Sequence, residues 1–274
     1  MKKMNILVTC DSGYAKQAAL MLFSLQKHHP DTFLDIFAVG ALQEGDITLM
    51  GKALDKAKSR LTHLTFHGEF LKDAPTTDRY PVEMYYRIFA AQYLPREMER
   101  VLYLDPDLVV IGSLEGLYGM EMGDAFFAAA SHVKEETLLE KVNQKRLDME
   151  GIYINSGVML LNLSALRKEQ DVQAVIDYIA AHEKVLVLPD QDVISGLYDD
   201  RILPIDAHIY NMTERILTMG YLKGMDADWV CRHAAIIHYC GKNKPWKPLY
   251  KGKLDIFYLL NRIEWEKKIE EIEA

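Results

Sequence analysis

Asp105 and Asp107 stand one residue apart in VLYLDPDLVVIGSL (101–114), with Val101, Leu102 and Leu104 before them and Leu108, Val109, Val110 and Ile111 after. Two carboxylates beside low-dielectric material are costly unless something positive offsets them. In an extended chain the side chains at i and i+2 point to the same side, with α-carbons roughly 6–7 Å apart. One cation, or a cation and a substrate hydroxyl, can therefore be held by both acids. Pro106 has no N–H and biases Asp105 to an extended conformation, which suits the end of a strand better than its middle. Asp-Pro also starts turns well, so a plain turn is the competing reading.

Three further stretches carry chemical groups. HYCGKNKPW (238–246) follows the apolar run AAII and brings a possible metal ligand, His238, a flexible turn at Gly241 and a cation, Lys244; incidental lysines on a surface turn are the alternative. LPDQDVISG (188–196) sets Asp190, Gln191 and Asp192 at a helix start after Pro189. Acids there are normally caps favouring the positive end of the helix dipole, which accounts for at least one of the three but not for Gln191. A neutral amide beside acids suits polar contact with a sugar. YINSGVMLLN places Asn155, Ser156 and Gly157 inside an apolar strand, where glycine often marks a bulge or close ligand approach. Arg87 interrupts an apolar helix face in YYRIF, as a snorkelling side chain or as a cation that meets a phosphate. Cys231, His233, His238 and Cys240 also suggest zinc. Read as one extended segment, however, CRHAAIIHYC sets the two histidines roughly 16 Å apart by strand rise, too far for one tetrahedral site.

The elements that must position these groups follow a regular order. MNILVTC (4–10), FLDIFAV (33–39), RLTHLTFH (60–67) and the acid-bearing stretch read as strands. Between them, YAKQAALMLFSLQKHH, EGDITLMGKALDKA and VEMYYRIFAAQYLP read as helices, the last stopped at Pro95. Such alternation implies right-handed crossovers and a mainly parallel sheet covered on both faces, with ligands beyond the carboxyl ends of the strands. The loop after Cys10 and the acid pair both fall on that edge. Further on, DAFFAAA (124–130) and IYINSGVMLLNL (152–163) read as strands, and QDVQAVIDYIAAHE and DQDVISGLYDD as helices. The tail from Trp246 starts basic and aromatic and continues with Ile256, Leu259, Leu260 and Ile263 at helical spacing. That pattern suits either packing on its own domain or peripheral contact with a membrane surface.

With 274 residues, 49% hydrophobic and 26% charged, the chain has the make-up of an ordinary globular protein. A length of this order buries roughly 75% of the unfolded surface. A net charge of −8 argues against nucleic acid as a partner. Three cysteines, an apolar start too short for a signal peptide and no apolar run of bilayer length point to the cytoplasm. No internal repeat or low-complexity linker is present, so one domain over 1–246 with an extension over 247–274 is expected.

In this order, NILVTCDSGYA, YYRI, YLDPDLVV, YINSGVMLLN, PDQDVI and HYCGKNKPW resemble segments of the family 8 glycosyltransferases. A lone D-x-D motif is weak; the ordered set with H-x-x-G-x-x-K-P-W is strong. The resemblance implies an α/β GT-A fold, Rossmann-like with a mainly parallel central sheet and a C-terminal helical extension. It implies a retaining hexosyltransferase that takes glucose or galactose from a UDP-sugar to a glycan or glycolipid hydroxyl. By carry-over Asp105, Asp107 and His238 bind Mn²⁺, with Mg²⁺ also compatible, and the UDP diphosphate completes the coordination. Thr9, Asp11 and Tyr14 hold the nucleoside, Gly241 and Lys244 the diphosphate, and Arg87, Asn155, Asp190 and Gln191 the donor sugar. Family members often have Asn where Gly13 stands. A double displacement needs a nucleophile beneath the sugar, with Asp190 or Gln191 nearest by analogy; Gln is a poor one, which favours front-face attack. The rivals are a haloacid-dehalogenase-type phosphatase, whose nucleophile motif is also D-x-D, and a carbohydrate-binding protein without turnover. The acceptor loop is expected at 72–83.

Overall fold

A computed structural model describes residues 2–66, 68–72, 74–76, 82–131 and 138–273; much of the expected acceptor loop lies outside them. β1 (Lys2–Thr9) enters a 3-10 turn at Ser12–Tyr14 and then α1 (Ala15–His28). β2 (Thr32–Val39), α2 (Glu44–Lys52) and β3 (Ser59–Leu64) follow. The helix expected before Pro95 is a 3-10 helix at Val82–Phe89 with one α turn, α3 (Ala90–Tyr93). Next come β4 (Arg100–Leu104), β5 (Leu108–Val110), α4 (Glu115–Tyr118), β6 (Phe127–Ala129), α5 (Leu138–Leu147) and β7 (Val158–Asn162). α6 (Leu163–Glu169), α7 (Val172–His182), α8 (Pro189–Leu197), β8 (Ile202–Pro204) and α9 (Ala207–Tyr210) lead to α10 (Glu214–Gly220). α11 (Ala227–His233), β9 (Ile236–His238) and α12 (Asp255–Glu273) complete the chain.

Among the described residues, seven strands form one sheet in the order β3-β2-β1-β4-β7-β6-β8. The first four neighbours are parallel, as the alternation of strands and helices requires; β7 is antiparallel to β4 and β6, and β8 is parallel to β6. Along β1, Ile6 and Val8 enter one apolar cluster and Leu7 the other. Successive side chains of a strand point to opposite faces, so the sheet is buried on both sides and its strands read as near-continuous apolar runs.

The chain leaves this sheet at Asp105-Pro106-Asp107, where proline cannot donate to a ladder. β5 then pairs antiparallel with β9, setting Leu108 opposite His238. That small second sheet carries the HYCGKNKPW stretch to the acid pair. Two readings of this part of the sequence are corrected. Asn155, Ser156 and Gly157 precede β7 rather than lying within it, in a turn whose Gly157 carbonyl accepts from Asp105 N at 2.8 Å. Nor is CRHAAIIHYC one extended run: Cys231 and His233 end α11, and the His233 ring stacks on Trp229 with centroids 4.3 Å apart.

α12 docks against α1 and β5 through buried Phe257, Tyr258, Asn261 and Trp265. The stripe read as its apolar face points elsewhere: Ile256, Leu260 and Ile263 are exposed, and Leu259 packs only partly against the core. The docked residues, Phe257, Tyr258, Asn261 and Trp265, lie on a neighbouring face of the helix, so counting aliphatic residues alone picks the wrong side. No described helix is long and apolar enough to cross a membrane.

His29, buried at the end of α1, has Nδ1 2.8 Å from Leu25 O and Nε2 2.9 Å from Leu114 N. A backbone N–H only donates, so Nε2 accepts and the neutral ring carries its proton on Nδ1. Burial lowers the pKa of this histidine, and the bond to Leu25 only partly restores it. Because the folded value lies below the unfolded one near 6.5, the ring contributes its full stability above that pH and loses it as pH falls through the folded value. His29→Gln is therefore expected to flatten the fall in unfolding free energy between about pH 7.5 and 5 by roughly 1 kcal/mol. Parallel urea-derived stability curves for the two proteins would refute this.

Candidate active site

A cavity of about 720 Å³ opens at the carboxyl edge of the parallel strands, and each residue singled out above for the nucleoside, diphosphate, sugar and metal roles lines it. β1 ends at Thr9, whose hydroxyl lies 3.1 Å from Tyr103 Oη. Asp11 accepts from Tyr14 N at 3.2 Å and so caps the 3-10 turn, while the Tyr14 ring meets Trp246 edge-on at 6.2 Å. These residues form one end of the cavity.

Asp105, Asp107 and His238 meet in the middle, each offering one ligand atom, all within 4.8 Å of one another. His238 Nε2 is 3.1 Å from Asp107 Oδ1 and 3.7 Å from Asp105 Oδ2. The hydrogen-bond network fixes which nitrogen faces the acids. Asn155 Oδ1 accepts from Gly157 N at 3.2 Å, so Asn211 presents its amide nitrogen there, at 2.9 Å, and its carbonyl oxygen to His238 Nδ1 at 2.8 Å. Nδ1 is thus the donor, and in the neutral ring Nε2 turns a lone pair toward two carboxylates. Three electron-rich atoms converge there, an arrangement that calls for a proton or a cation between them. Two carboxylates and an imidazole suit a hard or borderline divalent ion.

Cations surround this cluster. Lys244, 5% exposed, donates to Asp107 and, at 2.8 Å, to the Tyr239 carbonyl. Two of its three N–H donors are thereby used, leaving one for a ligand. Burial works against the Asp107 carboxylate, yet His238, in its protonated form, and Lys244 outweigh it and hold its pKa well below the usual carboxylate range. Lys244 also loses hydration, but Asp107 more than offsets this and raises its pKa. Gly241, φ +88°, turns the chain between His238 and Lys244 in the left-handed region that favours glycine.

Arg87 is no snorkelling side chain. It is 7% exposed, and its Nη1 lies 3.1 Å from both Asp105 Oδ1 and Asp190 Oδ2. Its guanidinium also stacks 4.3 Å from the Tyr103 ring centroid. Despite burial, the two acids hold its pKa above the ordinary arginine value. Asp190 receives Ser156 Oγ at 2.7 Å, and burial nevertheless raises its pKa. Gln191 accepts from Asn155 Nδ2 at 3.2 Å.

The three polar residues at the start of α8 divide as the capping argument requires. Asp192 is the structural one: fully buried, it accepts from Val187 N, Leu188 N and Tyr153 Oη, and pairs bidentately with Arg146 at 2.7 and 2.8 Å. Asp190 and Gln191 are left facing the cavity. Sequence reading missed Asn211, which sits in no motif and signals nothing by spacing. It also missed α5, whose Asn143 and Arg146 line the cavity wall.

This sheet order, with a cavity at the strand ends holding a paired-acid and histidine cluster, defines a GT-A glycosyltransferase architecture. The sequence model described as Glycosyl transferase family 8 matches residues 5–249, and the chain belongs to that family. It is 28% identical to a lipopolysaccharide 1,2-glucosyltransferase of Escherichia coli over 88% of this chain and 73% of that one. It is 26% identical to general stress protein A of Bacillus subtilis strain 168, over 96% of this chain and 94% of the relative. Its fold superposes on the galactosyltransferase LgtC, solved with donor and acceptor sugar analogs. The TM-score is 0.79 at 21% identity, covering 97% of this chain and all of the other. Membership of a transferase family leaves the phosphatase alternative without support.

Proposed function

We propose that the protein transfers a hexose, glucose or galactose, from UDP to a hydroxyl of a glycan or glycolipid acceptor, with retention at the anomeric carbon and dependence on a divalent ion. The observation that carries this reading is the meeting of Asp105, Asp107 and His238 beside Lys244, in a cavity that also holds Thr9, Asp11 and Tyr14. Asp105, Asp107 and His238 would hold Mn²⁺ or Mg²⁺. When bound, the ion supplies Lewis-acid neutralisation of charge growing on the departing diphosphate. Lys244, itself buried, would offer its remaining N–H to the same oxygens, adding fixed charge where negative charge develops.

On the sugar side, neither candidate nucleophile is free. Asp190 is committed to Arg87 and Ser156, and the Gln191 carbonyl to Asn155. Their geometry supports binding and orienting the hexose, with the acceptor hydroxyl attacking from the face the diphosphate leaves. The acceptor proton then passes to a departing phosphate oxygen. The names of the relatives point to both glucosyl and galactosyl transfer and to lipopolysaccharide as an acceptor class.

UDP release from UDP-glucose and UDP-galactose, with Mn²⁺ and with EDTA, tests the reading directly. Release with one donor that EDTA abolishes is the expected outcome; binding of sugars with no UDP release under any condition points instead to a carbohydrate-binding protein. Gln191→Ala is expected to lose far less than the ~10⁶-fold that removing a covalent nucleophile brings. A loss of that size overturns the front-face route.

A further inference from the structure

Four basic side chains, Arg87, Arg146, Arg215 and Lys244, line the cavity. Three are matched by carboxylates: Arg87 by Asp105 and Asp190, Arg146 by Asp192, and Lys244 by Asp107. Arg215 is exposed and, among the described residues, has no ion pair or hydrogen bond from its guanidinium.

Its position is set by rigid neighbours. Met212 bridges to Ile237 in parallel, and His238 N donates to Met212 O at 2.8 Å. Thr213 and Leu217 of the same segment are buried at 3% and 2% exposure. Arg215 follows in the first turn of α10, and Met212 just before that helix runs beside β9, while Asp107 lies next to β5 on the other side of β9. The adjacent acid cannot neutralise it. Glu214 turns away to accept from Tyr250 Oη at 2.8 Å, Lys253 N at 2.7 Å and Leu254 N at 2.5 Å. Among the described residues, two cavity carboxylates have no cation partner, and both belong to the β1–β2 end: Asp11 caps the turn after β1, and Glu83 packs beside Gly40. Among the described residues, Arg215 is thus the one arginine or lysine lining the cavity without a carboxylate partner, in a protein of net charge −8.

We propose that Arg215 forms an anion subsite for the acceptor, and that the hydroxyl-bearing substrate carries an oxyanion, a phosphate or a carboxylate, near the attacked hydroxyl. This rests on the transferase reading and names the substrate class within it. A guanidinium matches either anion with two parallel N–H donors, and it holds its charge at every pH of interest. A neutral glycan leaves this cation in water and gains nothing from it.

The test measures donor-dependent UDP release with glucose, glucose 6-phosphate and glucuronate as acceptors, and with the matching galactose series. Wild-type kcat/KM is expected to favour one anionic form roughly 10- to 100-fold over the neutral sugar, the range of a charge-assisted hydrogen bond. The phosphate and uronate arms identify which anion is read. Arg215→Met should erase that preference, leave the neutral sugar within about twofold, and leave UDP affinity and thermal midpoint unchanged; Arg215→Lys should restore part of the preference. An equal loss on charged and neutral acceptors overturns the proposal, as does a preference that survives in Arg215→Met or no response to any anionic sugar. Weakened UDP binding in Arg215→Met would move this side chain to the donor. No UDP release from any donor in the wild type sinks the transferase reading and the acceptor assignment together, whereas release without charge preference sinks only the latter.

Discussion

Asp107→Asn is expected to lower metal-dependent UDP release by about 10³-fold, the several kcal/mol that a correctly held Lewis acid supplies to a transition state. The change removes one of the carboxylates proposed to hold the ion and at the same time strands Lys244, whose side chain is buried and whose charge Asp107 offsets. Breaking a buried pair from one side is costly, so the variant should also lose about 3–5 kcal/mol of stability. The two effects separate in thermal unfolding with and without Mn²⁺. An ion that binds only the native state raises stability by RT ln(1 + [L]/Kd), about 2.7 kcal/mol at a concentration of 100 Kd. The wild type should show this rise and Asp107→Asn should not. A variant that is destabilised yet keeps the full Mn²⁺-induced shift would show that Asp107 serves Lys244 alone, and the metal reading of the acid pair would fall.

Gly157→Ala should be nearly as damaging without touching a charged group. A β-carbon at this position would lie 2.2 Å from His238 Cε1 and 2.6 Å from Asp105 Oδ2. The ring has nowhere to retreat, because Asn211 holds its far side and β9 is locked to β5. Asp105 is tied through its own backbone to the Gly157 carbonyl. The added methyl therefore spreads the cluster by about an ångström, a displacement that costs on the order of 10²-fold in a preorganised site. Overpacking of this kind costs about 1–3 kcal/mol of stability, so the fold should persist by circular dichroism. Wild-type turnover and wild-type Mn²⁺ affinity in Gly157→Ala would show that the acids and His238 need not stay close, contrary to the cation-holding role argued from their distances.

Both arguments reach back to features plain in the sequence. Apolar runs alternating with amphipathic stretches specified the parallel half of the sheet, since helix and strand periodicity are local properties of the chain. Pro106 marked where β4 had to stop, but residues 106 and 107 form the turn into β5 rather than an extended run, so the two acids meet across that turn and not by strand pleating. Other features were invisible for an equally physical reason. Whether Asn155 to Gly157 extend β7 depends on what they pack against, and here Asn155 is drawn off by Gln191 and Asn211. Arg87 reads as amphipathic on its own element; its two carboxylate partners come from just past β4 and from α8, and the fold brings them together.

By itself, then, the sequence determined the strand–helix alternation, the end of β4, the family and the chemical identity of the groups at the strand ends. Tertiary structure alone decided which of those groups meet. His238 stands 131 residues from Asp107, and only the β5–β9 pairing closes that distance. Which His238 nitrogen faces the acids is set by Asn211, and which basic side chain stays unneutralised is set by where Glu214 finds its donors. These outcomes rest on pairings between distant segments, each stabilised by burial and hydrogen bonds that exist only once the whole sheet has formed, so no local pattern in the chain encodes them.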